Sequence, residues 1–471
     1  MRSWARRAAV LHRELGEVAD LHGDPRWWLL AGGAALPWGR RTTYVVSDAE
    51  PASDTFIGVV AEAPSDPVWD AIARAHAARA TLRALDGALP DQPLAVTVRR
   101  TELGAVAERS ALERAAFAIG GQCWCGTLGA VFGDAHDDEL ALELAAAIAG
   151  RRPRTLDAPG AGATPFVTIT IGDEPIETAR HGHRRAWIGG VGPWLGLSRA
   201  GGLAIVSTCH LIVDGFGHAW ITSEIRSRTQ TLMSGHRTTG VSGDLPIPAP
   251  VVGATALGIA WRELSGPVPG ALALAYALGR VLHRVAGHPD ARFSPTFQIP
   301  VAPGAPADPD RRKRRVVPAI ASVRFDHGVP EPFERFAVRT RELLRREAEG
   351  SGLSAQLLTA AQAAPAPLAW KRRAVGPARP RWLESVAGLI GGRGCVSRIR
   401  IDVPGLVMPV ACAVSSPGRL PTPSDPLGGC VVTVLDDAVR AAITVCGVGV
   451  IAGPDHAAAL LDEVVAQIVH H

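Results

Sequence analysis

The chain has 471 residues, of which 47% are hydrophobic and 20% are charged, a balance typical of a globular protein long enough for two or three domains. Its 49 basic and 45 acidic residues leave a net charge of +4, which gives no case for nucleic acid or an anionic membrane as a partner. Seven cysteines scattered through a chain of this size do not indicate a disulfide framework, so we expect a reducing, cytoplasmic compartment.

Residues 1–23 are predicted to form an amphipathic helix, because Ala8, Leu11 and Leu15 recur among charged residues. No uninterrupted apolar core of a signal peptide is found there. We interpret the helix as part of a core, and contact of its apolar face with a lipid surface is the alternative. The apolar run 271–278 is far shorter than the roughly 20 residues that a spanning helix needs, so no transmembrane segment is predicted.

The first half of the chain is predicted to mix strands and helices, which is typical of an α/β sandwich. A glycine-rich stretch then leads towards the next strand. Strands are expected at 44–46, 56–61, 96–98 and 166–171, and helices at 66–84, 108–119 and 137–148.

The stretch 203–218 contains His210 and Asp214 in the pattern His-x-x-x-Asp-Gly, after an apolar, β-branched run. We expect a buried strand that stops at Gly215 and is followed by an amphipathic helix. On a strand, His210 and Asp214 would lie about 13 Å apart, so Asp214 should not orient His210 directly. We therefore expect His210 to act alone as a base, and Asp214 to form an ion pair with an arginine elsewhere.

The second half is predicted to begin after a linker at 246–251, with helices at 254–264 and 271–285. A proline-rich loop at 300–309 leads through a basic cluster to a strand at 316–325. The cluster would suit the phosphates of CoA or an acidic carrier protein, and a solvated loop is the alternative. Its members are Arg311, Arg312, Lys313, Arg314 and Arg315.

A weak internal repeat appears when the chain is shifted by 238 positions. Residues 204–205 then align with 442–443, and Gly215 aligns with Gly453. Both copies have an apolar strand, a glycine turn, a His-Ala pair and a helical segment. We therefore predict two similar lobes, 1–240 and 241–471.

The two copies differ at the residues that carry chemistry. Val448 takes the place of His210 in the second copy, and Ala452 takes the place of Asp214, so only the first lobe has the base. His218 recurs as His456 in the lobe without the base, and we therefore assign His218 to structure.

The segment His210-Leu-Ile-Val-Asp214-Gly215 resembles the HxxxDG signature of the CoA-dependent acyltransferase superfamily. Its members include chloramphenicol acetyltransferase, the catalytic domain of dihydrolipoyl acyltransferases, peptide-synthetase condensation domains and wax ester synthases. The resemblance implies that His210 deprotonates an acceptor hydroxyl, thiol or amine, and that Asp214 holds the structure through a salt bridge. Many members have a second histidine just before the catalytic one, where this chain has Cys209.

The same resemblance implies a fold and further site residues. The fold is α/β, with two chloramphenicol-acetyltransferase-like lobes, each a mixed sheet packed with helices, that form a pseudo-dimer. The segment Trp38-Gly-Arg40 is similar to a Trp-x-Arg segment of chloramphenicol acetyltransferase whose arginine pairs with the motif aspartate. Arg40 is therefore the candidate partner of Asp214, with Arg398 and Arg400 as rivals.

A segment near the end of the chain also resembles part of the superfamily. Ser415-Ser416-Pro-Gly is similar to the Ser-Asn-x-Pro-Gly segment of wax ester synthases, but the asparagine is missing. The tetrahedral oxyanion of acyl transfer needs hydrogen-bond donors. Ser415, Ser416 and Thr208 are candidates, and the sequence does not choose among them.

These features predict an acyltransferase that moves an acyl group from acyl-CoA or an acyl carrier to a hydroxyl, amine or thiol of a small-molecule or lipid acceptor. No metal or other cofactor is predicted. Length and layout fit condensation domains, wax ester synthases or lipid acyltransferases. The alternative is a non-catalytic two-lobed relative that binds an acyl carrier or a protein as a scaffold. Cys209 favours this alternative, whereas His210 and Asp214 favour the enzyme.

Overall fold

A computed structural model of the chain gives the arrangement of most of its strands and helices. The residues that it describes are 44–46, 55–62, 65–88, 96–101, 104–175, 191–209, 213, 215–235, 257–285, 296–301, 319–324, 331–349, 394–401, 403, 405–415, 429–437, 439–448 and 454–469.

The first half alternates strands with helices, as predicted. Its helices are α1 (Pro67–Ala88), α2 (Ala135–Ile148) and α3 (Gly215–Ser234). Its strands are β1 (Tyr44–Val46), β2 (Thr55–Ala61), β3 (Val96–Thr101), β4 (Gly104–Arg109), β5 (Ala111–Ile119), β6 (Gln122–Thr127), β7 (Pro165–Asp173), β8 (Val191–Pro193), β9 (Leu195–Ala200) and β10 (Leu203–Cys209).

The second half is built in the same way. Its helices are α4 (Ala271–Val285), α5 (Phe333–Ala348) and α6 (Pro454–Val469). Its strands are β11 (Leu257–Glu263), β12 (Thr296–Val301), β13 (Ala319–Arg324), β14 (Gly394–Arg400), β15 (Ala411–Ser415), β16 (Gly429–Asp436) and β17 (Ala441–Val448).

Two large mixed sheets have the same strand order. The first runs β15-β2-β10-β9-β7-β5-β6, and the second runs β11-β17-β16-β14-β12-β13. When β15 is set aside, each strand of the first sheet has a counterpart at the same place in the second. The pairing directions also agree, with two antiparallel pairs, then two parallel pairs, then one antiparallel pair.

The common topology confirms the predicted fold class of two α/β lobes, each a mixed sheet packed with helices. It also explains the internal repeat. The shift of 238 positions overlays the residue ranges of β10 and β17 and carries the first residue of α3 to within one residue of the start of α6. A shift of 239 positions also matches the residues that face the core, since Val206 then corresponds to Val445. The repeat is thus a duplicated strand-turn-helix unit, and the two halves of the chain are two copies of one fold.

One strand crosses between the two copies. β15 belongs to the second half of the sequence, but it pairs antiparallel with β2 and forms the outer strand of the first sheet. The boundary predicted between residues 240 and 241 lies outside the described residues and stays a prediction. A third, four-stranded sheet is formed by β1, β4, β3 and β8.

Two predicted helices are wrong, because both segments form strands. Residues 108–119 lie largely in β5, which pairs with β6 on one side and β7 on the other. Residues 254–264 contain β11, which pairs with β17. Both segments are rich in alanine, leucine and other helix formers, but sheet pairing and burial outweigh that local preference.

The strand that leads into the motif is shorter than predicted. β10 ends at Cys209, and Val213 is buried but belongs to no strand. α3 then begins at Gly215, as the sequence indicated. The predicted N-terminal helix at 1–23 and the linker at 246–251 lie outside the described residues.

Each lobe has its own apolar core between sheet and helices. In the first lobe, buried residues of α1 and α3 pack on β5, β7 and β9 around the fully buried Trp194. In the second, α4 and α6 pack on β14, β16 and β17. Smaller clusters join the lobes, and one of them brings Ile57 and Ile205 of the first sheet against Ile259 of the second. In the part of the chain given above, no helix is both long and apolar enough to cross a membrane.

A buried ionic cluster holds α1 to the first sheet. The Arg74 guanidinium donates from Nε to Asp70 Oδ2 at 2.7 Å, from a second nitrogen to the Ser198 carbonyl at 3.1 Å, and also to Glu62. Asp70 and Arg74 are each only 3% exposed. Burial raises the pKa of the Glu62 carboxyl, and the charge of Arg74 opposes that rise.

Arg74→Met should therefore destabilise the first lobe by about 3–5 kcal/mol at pH 7, because it leaves buried carboxylates without their cation. The loss should shrink as the pH falls towards the ordinary value of 4.5 for Glu62, since a carboxyl with a raised folded pKa is protonated first in the folded state. Urea unfolding followed by tryptophan fluorescence at pH 7 and pH 5 measures both effects.

Arg83→Met is the matched control for this test. Arg83 is on the same helix, but its 3.4 Å pair with Glu113 joins side chains that are 51% and 61% exposed. Solvent screens such a pair, so the substitution should change the free energy of unfolding far less than Arg74→Met. Equal effects of the two substitutions would show that the buried cluster does not hold α1 in place.

Candidate functional site

The described residues on either side of the motif define where it lies in the fold. β10 ends at Cys209, and α3 begins at Gly215 on the same lobe. His210 and Asp214, the predicted base and its structural aspartate, fall between these points and lie outside the described residues. The described residues that flank them, at the end of β10 and the start of α3, define the surroundings of the motif.

Gly215 lies against the other lobe. A β-carbon at position 215 would come within 2.5 Å of Ile399 Cδ1 and 3.4 Å of Phe56 Cε1. Ile399 is on β14 of the second lobe, and Phe56 is on β2 of the first. Only glycine leaves room for this approach, which gives a physical reason for the glycine of the pattern. The motif therefore ends at the junction of the two lobes.

The crossing strand brings a predicted site residue to the same edge of the first sheet. Thr55 on β2 pairs with Cys209 on one side and with Ser415 on the other. Directly opposite residues of neighbouring strands have Cα atoms about 5 Å apart, so Cys209 and Ser415 are separated by about 10 Å in one row. Ser415 thus ends its strand beside the point where the chain continues to His210.

Thr208 lies inside the first lobe. Its side chain is fully buried, and its Oγ1 lies 2.8 Å from Nδ1 of His218, which is also fully buried. The His218 ring stacks on Phe56 with ring centroids 5.3 Å apart. The hydroxyl of Thr208 is therefore engaged in the interior, and its candidate role as an oxyanion donor stays a prediction.

Arg398 and Arg400, the alternative partners predicted for Asp214, both lie close to the carboxylate of Asp436. Arg398 Nε donates to Asp436 Oδ2 at 2.8 Å, and Arg400 Nε lies 3.9 Å from Asp436 Oδ1. Asp436 is 1% exposed at the end of β16. The two arginines flank Ile399, so this carboxylate holds the end of β14 whose isoleucine reaches Gly215.

Other predicted site residues lie outside the described part of the chain. They are Arg40, Ser416 and the basic cluster of Arg311, Arg312, Lys313, Arg314 and Arg315. The pairing of Arg40 with Asp214 and the binding of CoA phosphates by the cluster stay predictions.

The sequence did not reveal Ile399 or Phe56 as neighbours of the motif. Both are apolar residues in ordinary strand patterns, and their role comes from the way the lobes meet. A partial signal exists, since Ile399 lies between Arg398 and Arg400, the two alternative partners predicted for Asp214.

Neither a protein-family model nor a curated protein matches the sequence. Among solved structures, the first condensation domain of the calcium-dependent antibiotic synthetase is 14% identical, with a TM-score of 0.44 and coverage of 95% of each chain. A mutant starter condensation domain of rhizomide synthetase is 11% identical, with a TM-score of 0.43 and coverage of 91% of this chain and 94% of that chain. Polyketide synthase associated protein 5 from Mycobacterium tuberculosis is 12% identical, with a TM-score of 0.40 and coverage of 90% and 96%.

These structures align with the chain over nearly its whole length, and the fold class of the chain follows from its own strand order and strand pairing.

Gly215→Ala should destabilise the protein by about 1–3 kcal/mol, since its methyl group overpacks the contact with Ile399 Cδ1. Adding Ile399→Val, which removes that carbon, should recover much of the loss. Thermal unfolding of the single and double variants measures both changes. If the second substitution adds to the loss instead of relieving it, the close approach of the lobes is not the reason for the glycine.

Gly87→Ala provides the matched control. Gly87 lies near the end of α1, and a β-carbon there would have no neighbour within 4 Å. Because alanine favours a helix over glycine, this substitution should leave stability unchanged or raise it by up to about 1 kcal/mol.

Proposed function

We propose that the chain is an acyltransferase that moves an acyl group from a thioester donor, acyl-CoA or an acyl carrier, to a hydroxyl, amine or thiol acceptor. The observation that carries the proposal is the position of the motif. Its last residue, Gly215, closes against Ile399 of the other lobe, and we propose that His210 acts at this junction. Junctions between domains are frequent places for small-molecule sites.

The proposed reaction uses His210 as a general base. Its imidazole takes the proton of the acceptor while the acceptor oxygen, nitrogen or sulfur bonds to the thioester carbonyl carbon. The tetrahedral intermediate then expels the thiolate by breaking the carbon–sulfur bond, and the proton held by His210 passes to the sulfur. Positioned proton transfer of this kind typically contributes about 10²–10⁴-fold to the rate.

The difference between the lobes supports a single site. The two lobes share one topology, but Val448 and Ala452 replace the histidine and aspartate in the second copy. Neither valine nor alanine has a group that titrates, so the second copy has no base at this place. We therefore propose that the first lobe is catalytic and that the second lobe supports it.

His210→Ala should lower acceptor-dependent release of thiol by about 10²–10⁴-fold without unfolding the protein. The measurement is thiol release from short and long acyl-CoAs and from carrier-bound acyl groups, with pooled alcohol and amine acceptors. His456→Ala is the matched control, because His456 is an exposed histidine in the first turn of the equivalent helix of the other lobe. No release from any donor by folded wild-type protein would favour a binding scaffold instead.

Oxyanion stabilisation is proposed to come from the end of β15. Ser415 lies in one row with Cys209, and Ser416 follows it directly, whereas the Thr208 hydroxyl is engaged with His218. Removing one donor typically costs about 10²–10³-fold in kcat. One of the variants Ser415→Ala and Ser416→Ala should therefore show such a loss with KM little changed. If steady-state kinetics show no loss in either variant or in the double variant, the donors lie elsewhere.

A further inference from the structure

Two buried side chains connect the strand before the motif, β10, to the helix after it, α3. Thr208 lies two residues before His210 on β10, and His218 lies three residues after Gly215 on α3. Their side chains meet at 2.8 Å between Thr208 Oγ1 and His218 Nδ1, and both are fully buried. This contact therefore ties the strand before the loop to the helix after it.

Three residues, Phe56, Gly58 and Thr222, surround the imidazole ring of His218. Phe56 stacks on it at 5.3 Å with an angle of 17° between the rings. Thr222 Oγ1 lies 3.5 Å from Nε2 and also donates to the main-chain carbonyl of His218 at 2.8 Å. Gly58 leaves the space, since a β-carbon at that position would lie 2.9 Å from His218 Nε2 and closer still to Thr222 Oγ1.

The second lobe offers an internal comparison. The helix-facing sides of the two sheets correspond under a shift of 239 positions, which carries Val206 and Ile221 of the first core to Val445 and Leu460 of the second. His218 then corresponds to the buried Ala457, and the adjacent His456 is exposed. With the pairing of β10 with β2 and of β17 with β11, the residues Phe56, Gly58, Thr208 and Thr222 correspond to Gly258, Ala260, Gly447 and Leu461.

The counterparts cannot build the same contact. Gly447 and Ala457 stand in the places of Thr208 and His218, and neither has a side chain that forms hydrogen bonds. The arrangement around His218 is thus present in the lobe that has the base and absent from the described residues of the lobe that lacks it. A contact needed only for the common fold would be expected in both lobes.

We propose that His218 is a positioning residue, which acts through Thr208 to fix the orientation of the motif residues between β10 and α3, His210 among them. The proposal rests on the proposed function, and it goes beyond it by assigning a role to a histidine outside the motif. A buried hydrogen bond at the base of a short loop restricts the orientations of the residues that the loop carries. Small errors in the placement of a catalytic group cost rate rather than binding.

Thr208→Val tests the proposal without opening a cavity, since valine has nearly the shape of threonine but lacks the hydroxyl. Replacing His218 itself would leave a void beside Phe56 and confuse positioning with unfolding. With acyl-CoA as donor, kcat should fall about tenfold, which corresponds to ~1.4 kcal/mol, while KM changes less than about twofold. Thr208→Ser, which keeps the hydroxyl, should restore most of the rate.

Thr229→Val is the matched control. Thr229 is a buried threonine on the same helix, 3% exposed, and its hydroxyl donates to the Ile225 carbonyl of its own helix at 2.7 Å. The substitution also removes a buried hydroxyl, but the hydrogen bond that is lost lies within α3. We expect wild-type kcat and KM from this variant.

Hydrogen exchange separates the positioning role from the proposed activity. Amides of the peptide 209–217 should exchange about tenfold faster in Thr208→Val than in wild type or Thr229→Val, because the loop opens locally more often. Unchanged exchange would overturn the positioning role, and so would faster exchange with unchanged kcat. If exchange is faster in Thr208→Val but the wild-type protein transfers no acyl group, the proposed function is overturned and the bridge between β10 and α3 stands.

Discussion

The close approach of Gly215 to Ile399 is the constraint on which the candidate site depends. It joins the end of the motif in one lobe to a strand of the other, and it leaves no room for a side chain at position 215. The buried Asp436 holds Arg398 and Arg400 on either side of Ile399, so that strand is fixed from within its own lobe. The site is therefore a property of both lobes together.

The two lobes share one fold, and the residues proposed to carry the chemistry differ between them. The two sheets share strand order and pairing direction, yet the first gains β15 from the second half of the chain. That strand places Ser415 in one row with Cys209. The first lobe also has a threonine and a buried histidine where the second has a glycine and a buried alanine. These differences are concentrated around the motif loop.

Most of the strands and helices could be predicted from the sequence, because hydrophobic periodicity and the internal repeat can be seen along the chain itself. The strands around β7 and β10 and the helices α2 and α4 could be recognised in this way. β5 and β11 were mistaken for helices, since their alanine-rich and leucine-rich segments become strands only through pairing with neighbours distant in sequence. Ile399 and the bridge between Thr208 and His218 could not be found from patterns, because both depend on contacts between elements that the chain brings together only when folded.

The most direct test of the central claim is a crystal structure of the protein with a stable thioether analogue of an acyl-CoA, in which a methylene group replaces the thioester carbonyl. The account predicts the analogue at the lobe junction beside Gly215 and Ile399, with the atom that mimics the carbonyl carbon within reach of an acceptor held by the His210 imidazole. An analogue bound away from the junction, or a His210 side chain directed into the core of the first lobe, would contradict it.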